Sequence, residues 1–117
     1  MVEVWVAGLL AQKSFVLDIS GHAGAAPAGE DTVCAAASML AYTVAQEVLE
    51  MHRKGKLREE PKIKLAKGEA LIACKPKRSA RREVSHLYKT AQTGYKLLAA
   101  NFPDNVRLYP SEMPEGI

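Results

Sequence analysis

The chain is short of cysteine and of aromatic side chains, and each shortage removes a class of explanation. Only two cysteines, Cys34 and Cys74, occur in 117 residues. That is too few for a disulfide-stapled scaffold, and a chain of this length builds a core without one. Those cysteines and three histidines (His22, His52 and His86) are scattered and match no metal-ligand spacing. Neither a metal nor a cofactor is therefore expected. Aromatics make up 6% of the residues, so no stacking platform for nucleic-acid bases stands out. No apolar run approaches the roughly 18 residues that cross a bilayer. The opening MVEVWVAGLL has neither a basic leader nor a cleavage pattern. A cytoplasmic protein without membrane contact is expected, and in that compartment the cysteines are expected as thiols.

What remains is an ordinary globular composition, 48% hydrophobic and 25% charged, with a net charge of +3. Such a mild excess permits contact with RNA but does not require it. There is no internal repeat and no linker. One domain over residues 1–110 is expected, followed by a loose tail at 111–117.

Val2, Val4 and Val6 alternate with Glu3 and Trp5, and Phe15, Leu17 and Ile19 alternate with Val16 and Asp18. Both runs have strand periodicity, and a turn within Leu9 to Lys13 makes them a hairpin. After a loop from Gly21 to Glu30 the period changes. Val33, Ala37, Leu40, Val44, Val48 and Met51 recur at three- and four-residue steps, the mark of an amphipathic helix that ends near Lys54 and Gly55. PKIKLAKG and EALIACKP read as a second hairpin around Lys67 and Gly68. A second helix follows over Ser79 to Asn101, with Val84, Leu87, Ala91, Tyr95 and Leu98 facing inward, and NVRLYP closes the series as a short strand. The order ββαββαβ predicts an α+β domain, about five strands in one mostly antiparallel sheet with two helices packed on it.

The most informative stretch is SGHAGAAPAGEDTVCAAAS, Ser20 to Ser38. It places His22 and Cys34 at the two ends of a glycine- and alanine-rich loop. Asp31 is a suitable N-cap; Cys34 is then the third residue of the helix, where unpaired amides and the helix dipole favour an anion. A free thiol titrates near ~8.5, and a helix N-terminus or a nearby imidazolium brings it to roughly 3.5–7.5. Asp31 works against this as a second anion, unless it serves to orient the imidazole. Gly21, Gly24 and Gly29 allow backbone conformations that other residues avoid, and Gly21 lets a strand turn sharply as it delivers His22. Ser38 lies one turn beyond Cys34; its hydroxyl can bond within a site or back to its own helix. The plainer alternative is that Cys34 is a small buried hydrophobe and His22 a loop residue.

GHA followed by GEDTVCAAAS resembles the signature of the ribosomal-processing cysteine protease family, formerly a family of unknown function. The pattern falls on Gly21, His22, Ala23, Gly29, Asp31, Val33, Cys34, Ala35 and Ser38, with a His–Cys separation of twelve (34 − 22). The similarity extends over nearly the whole chain; Thr32 stands where family members often carry isoleucine. The resemblance implies a metal-free, homodimeric endopeptidase that removes the N-terminal extension of bacterial large-subunit ribosomal protein twenty-seven. It further implies Cys34 as nucleophile and His22 as general base and acid.

Lys75 to Arg82, KPKRSARR, is the densest charge cluster, with five basic residues. It reads either as a solvated strand-to-helix turn or as a weak contact with rRNA. As the latter it supports an alternative function, a non-catalytic RNA- or ribosome-binding module. A cationic surface also sits awkwardly with a ribosomal protein substrate, itself basic. Cys74 is expected to be buried, His52 and His86 to be surface residues. Tyr42, Tyr88 and Tyr95 fit core, dimer or substrate contacts equally, and Trp5, alternating out of the valine face, fits an interface.

Overall fold

A computed structural model describes residues 1–21 and 28–109, with the backbone alone for 28–31. The tail expected at 111–117 lies outside the described residues. The elements are β1 (Val2–Ala7), β2 (Phe15–Ser20), α1 (Ala28–Arg53), β3 (Lys62–Ala66), β4 (Glu69–Cys74), a 3-10 turn (Arg78–Ala80), α2 (Arg81–Asn101) and β5 (Val106–Leu108). They form one sheet in the order β3-β4-β2-β1-β5. All neighbours run antiparallel except β1 and β5, which are parallel. The expected fold class and element order are therefore correct.

Strand periodicity sets the core. Val2, Val4, Val6, Phe15, Leu17, Ile19, Ala70, Ile72 and Cys74 are buried on one face, while their sequence neighbours are not. The helices cover that face. Of the expected stripe on α1, Val33, Ala37, Val44, Val48 and Met51 are buried and Leu40 is half-buried. Gly94 on α2 lets Leu40 approach so closely that a side chain there would collide with it. From Thr32 to Arg53, α1 is long and apolar enough to cross a membrane by length and composition. That corrects the expectation that no segment comes near such a length, although the buried stripe makes α1 the core helix of this fold.

The C-terminus of α1 closes as the glycine predicts. Gly55 takes φ +74°, its N–H donates to the His52 carbonyl at 3.0 Å, and that of Lys56 donates to Met51 at 2.9 Å. These paired bonds satisfy the last carbonyls of the helix.

Tyr88 and Tyr95 belong to the core. The Tyr95 hydroxyl donates to the Ala37 carbonyl at 2.9 Å, tying α2 to α1. The Tyr88 hydroxyl donates to the Ile72 carbonyl at 3.0 Å, and Cys74 Sγ lies 3.7 Å from the same oxygen. A phenol has a single proton, so the Cys74 thiol donates to Tyr88, which donates to Ile72. Burial pushes both the Cys74 thiol and the Tyr88 hydroxyl up, and both remain protonated. Replacing Tyr88 with phenylalanine leaves the buried Cys74 thiol without its acceptor and the Ile72 carbonyl with its ladder bond from Leu17 alone. A loss of about 1 kcal/mol is expected, read as a lower urea midpoint with an unchanged slope. Trp5 stacks on Tyr109, with ring centroids 4.2 Å apart, on the sheet face away from the helices.

Candidate active site

The strand register brings three chain segments to one end of the sheet. Ser20, closing β2, lies between Glu3 at the start of β1 and Glu69 at the start of β4. The next residue, Gly21, takes φ +89° and donates its N–H to the Gly68 carbonyl at 2.9 Å. A Cβ at Gly21 would run into the carbonyl oxygen of Met1. Only glycine fits this backbone, so the residue that leads to His22 is pinned between β1 and the β3–β4 turn. His22 itself and Gly24 lie outside the described residues.

The helix opposite begins earlier than the sequence suggested. Starting at Ala28, α1 includes Gly29 and Asp31 and makes Cys34 its seventh residue. Asp31 is therefore not the N-cap, Gly29 is not a loop residue, and the loop is three residues shorter than expected. Two acidic residues, Glu30 and Asp31, suit the first turn of a helix as well as Asp31 alone suits a cap. A glycine within the first turn costs only about 1 kcal/mol against alanine, too little to stop the helix. One consequence is chemical. The dipole acts mainly over the first turn, so at its seventh position Cys34 gains less from the helix end than a third-position thiol would. Its amide is also committed to the helix, which leaves only the amides of the first turn and the preceding loop to receive an oxyanion.

Cys34 is half-buried, packed at the edge of the core, and it lines a cleft of about 520 Å³. Ser38 and Tyr42, one and two turns along the same face of α1, line it too. Gly21, Leu65 and the β3–β4 turn at Lys67 and Gly68 complete the opposite wall. Thus Cys34, Ser38 and Gly21, each singled out from the sequence, meet in one cleft. Tyr42, half exposed, and Leu65 were not assigned to it from sequence, because only the register shows that the second hairpin faces α1. On the face of this hairpin turned away from α1, Lys64 pairs with Glu69 at 2.7 Å, which raises the Lys64 ammonium further.

Neither Cys34 nor Cys74 is in a disulfide. Cys74, bonded to Tyr88 in the core, cannot meet a substrate; Cys34 sits on a cleft wall. His52 and His86 are exposed and outside the cleft. The basic turn Lys75 to Arg82 lies at the far end of β4, tied to the α1–β3 connection by Arg58 N–H to Lys75 O at 2.8 Å and Lys77 N–H to Lys56 O at 2.9 Å. Two of the cations around it are paired, Lys75 with Glu59 at 3.2 Å and Lys56 with Glu83 at 2.8 Å.

A two-helix α+β domain with one half-buried cysteine on a cleft wall and another locked in the core defines a candidate thiol enzyme. Over residues 1–107 the chain matches the model of the cysteine protease Prp family, and it belongs to that family. Membership sets aside the non-catalytic reading. Among solved structures, the chain is similar to the ribosomal processing protease Prp from S. aureus in complex with a substrate peptide. The TM-score there is 0.69 at 19% identity, covering 97% of this chain and all of that one. The same protease with a covalently linked product peptide gives a TM-score of 0.69 at 21% identity over the same shares. A Streptococcus mutans protein matches with a TM-score of 0.68 at 20% identity, covering 97% of this chain and 96% of that one. At such identities these likenesses speak for the fold. No curated protein matches the chain.

Proposed function

We propose that the protein is a cytoplasmic, homodimeric cysteine endopeptidase that removes the N-terminal extension of large-subunit ribosomal protein twenty-seven, using Cys34 and His22. The observation that carries this reading is the Cys34 thiol on the wall of a cleft in a chain of a cysteine protease family. The similar S. aureus protease, described as ribosomal processing and bound to a substrate peptide, supports a ribosomal protein segment as substrate.

In this mechanism His22 takes the thiol proton and Cys34 sulfur attacks the scissile carbonyl, forming a C–S bond as the carbonyl becomes an oxyanion. Amides of the first helical turn and the glycine loop, Gly24 included, hold that oxyanion. The imidazolium then protonates the departing amine as the C–N bond breaks. Water, deprotonated by His22, hydrolyses the thioester and restores the thiol. Asp31 orients the imidazole, and Ser38 supports the site with its hydroxyl. The basic turn Lys75 to Arg82 makes a weak accessory contact with rRNA.

The test is incubation with a peptide copying the N-terminus of the organism's own ribosomal protein, read by mass spectrometry. A single cut within it is expected, and an intact peptide removes the substrate. A second measurement addresses the thiol. Iodoacetamide at neutral pH is expected to label Cys34 and spare Cys74 in the native protein, with His22→Ala slowing the labelling of Cys34 at least about tenfold. Equal labelling of both cysteines, or no effect of the histidine, contradicts the dyad.

A further inference from the structure

Strand β3 is an edge of the sheet; among the described residues nothing pairs with its outer side. Register shows which of its backbone groups point outward. The Gly21 N–H bonds to the Gly68 carbonyl, so the two form a hydrogen-bonded pair. Counting on in steps of two along the same ladder, Ala70, Ile72 and Cys74 turn their backbone groups toward β2. The intervening residues Glu69, Leu71 and Ala73 must then bond to β3, at Ala66, Lys64 and Lys62. What remains are Ile63 and Leu65, whose N–H and C=O groups face away from β4. Their side chains lie on the helix side of the sheet, opposite Ile72 and Ala70. Leu65 is 43% exposed there and lines the cleft that holds Cys34.

A strand edge and a helix thus form the two sides of one groove. The edge offers alternating donors and acceptors at Ile63 and Leu65; the helix presents Cys34, Ser38 and Tyr42 along one face. Only an extended chain can satisfy such an edge while lying under that helix. We infer that the substrate docks as a sixth strand beside β3, hydrogen-bonded to Ile63 and Leu65, which lays its backbone along the groove and its scissile bond at Cys34. This rests on the protease function proposed above. The substrate amides that bond are every second one, and the side chains that turn toward α1 meet Leu65 and the Tyr42 ring, so an apolar residue is selected at those positions. The bonds cost β3 nothing, because Ile63 and Leu65 take no part in pairing with β4.

The experiment is a backbone scan on the wild-type protein. Successive amides of the peptide copying the ribosomal protein N-terminus are N-methylated one at a time, and KM and kcat are measured for each. Methylation at alternate positions on one side of the cut should raise KM about three- to tenfold, the effect of one lost hydrogen bond, and leave the interleaved positions near the parent value. Leu65→Pro removes one outward N–H, outside the β3–β4 ladder, together with the Leu65 side chain; against Leu65→Ala, which loses the side chain alone, it should raise KM by a further factor of about three to ten. Should that variant fail to fold, the scan on the wild type decides alone. A flat profile, or sensitivity at consecutive amides without alternation, overturns the docking while cleavage itself stands. If the parent peptide is not cut, the substrate reading fails and the docking falls with it.

Discussion

Cys34→Ala is expected to abolish peptide cleavage, lowering kcat/KM on the order of 10⁴-fold or more, and His22→Ala is expected to do the same. The two losses should not add. If sulfur and imidazole act as one unit, removing either removes the attack, and the double variant is no slower than each single one. Both proteins should stay folded. Cys34 sits half-buried at the margin of the core, so trimming its sulfur leaves a space open to the cleft rather than a sealed void. Near-native melting with no cleavage is the outcome that supports the dyad. Cleavage by Cys34→Ala above a trace would remove Cys34 as nucleophile, and cleavage by His22→Ala would assign the base to another group.

Gly21→Ala should injure both stability and rate. A non-glycine residue at φ +89° costs about 1–2 kcal/mol, and the collision with the Met1 carbonyl adds about 1–3 kcal/mol of local displacement. Against a total of roughly 5–15 kcal/mol the domain stays folded but weakened. Gly21 also fixes where the chain leaves β2 on its way to His22, and a displacement of about 1 Å in a reacting group can cost about 10²-fold in rate. Gly8→Ala provides the matched comparison. Gly8 has φ +100°, and its Cβ would strike the Ser14 carbonyl in the β1–β2 turn, at the other end of the sheet. It should lose comparable stability and keep its kcat. Equal losses of kcat in the two variants would mean that Gly21 acts through stability alone.

Much of this was legible in the sequence, for identifiable reasons. Alternating apolar residues marked β1 and β2 and a clean switch to helical period marked both helices, because burial on one face dictates those periods, while β3 and β4 were read from the turn at Lys67 and Gly68 between them. The helix start was misplaced because Asp31 satisfies the rules for a cap and for a first-turn acid equally, and the local pattern does not separate them. Tyr88 and Tyr95 were ambiguous since a tyrosine in a helix suits a core only where its hydroxyl finds an acceptor. Those acceptors, the carbonyls of Ile72 and Ala37, come from other elements. The stacking of Trp5 on Tyr109 joins residues far apart in the chain and left no local trace. Cys34 and Ser38 were found through their motif, whereas Leu65 and Tyr42 enter the cleft only because β3 is an edge strand beside α1.

The cationic turn and the thiol occupy opposite poles of the domain, separated by the length of β4, roughly 17 Å for its run of residues. At physiological ionic strength a charge is felt over about 8 Å. The basic ribosomal substrate proposed above would therefore reach the thiol with the charges of Lys77, Arg78 and Arg82 largely screened. On the function proposed above, one pole would rest against a polyanion while the other stays open to solvent and to the segment that is cut.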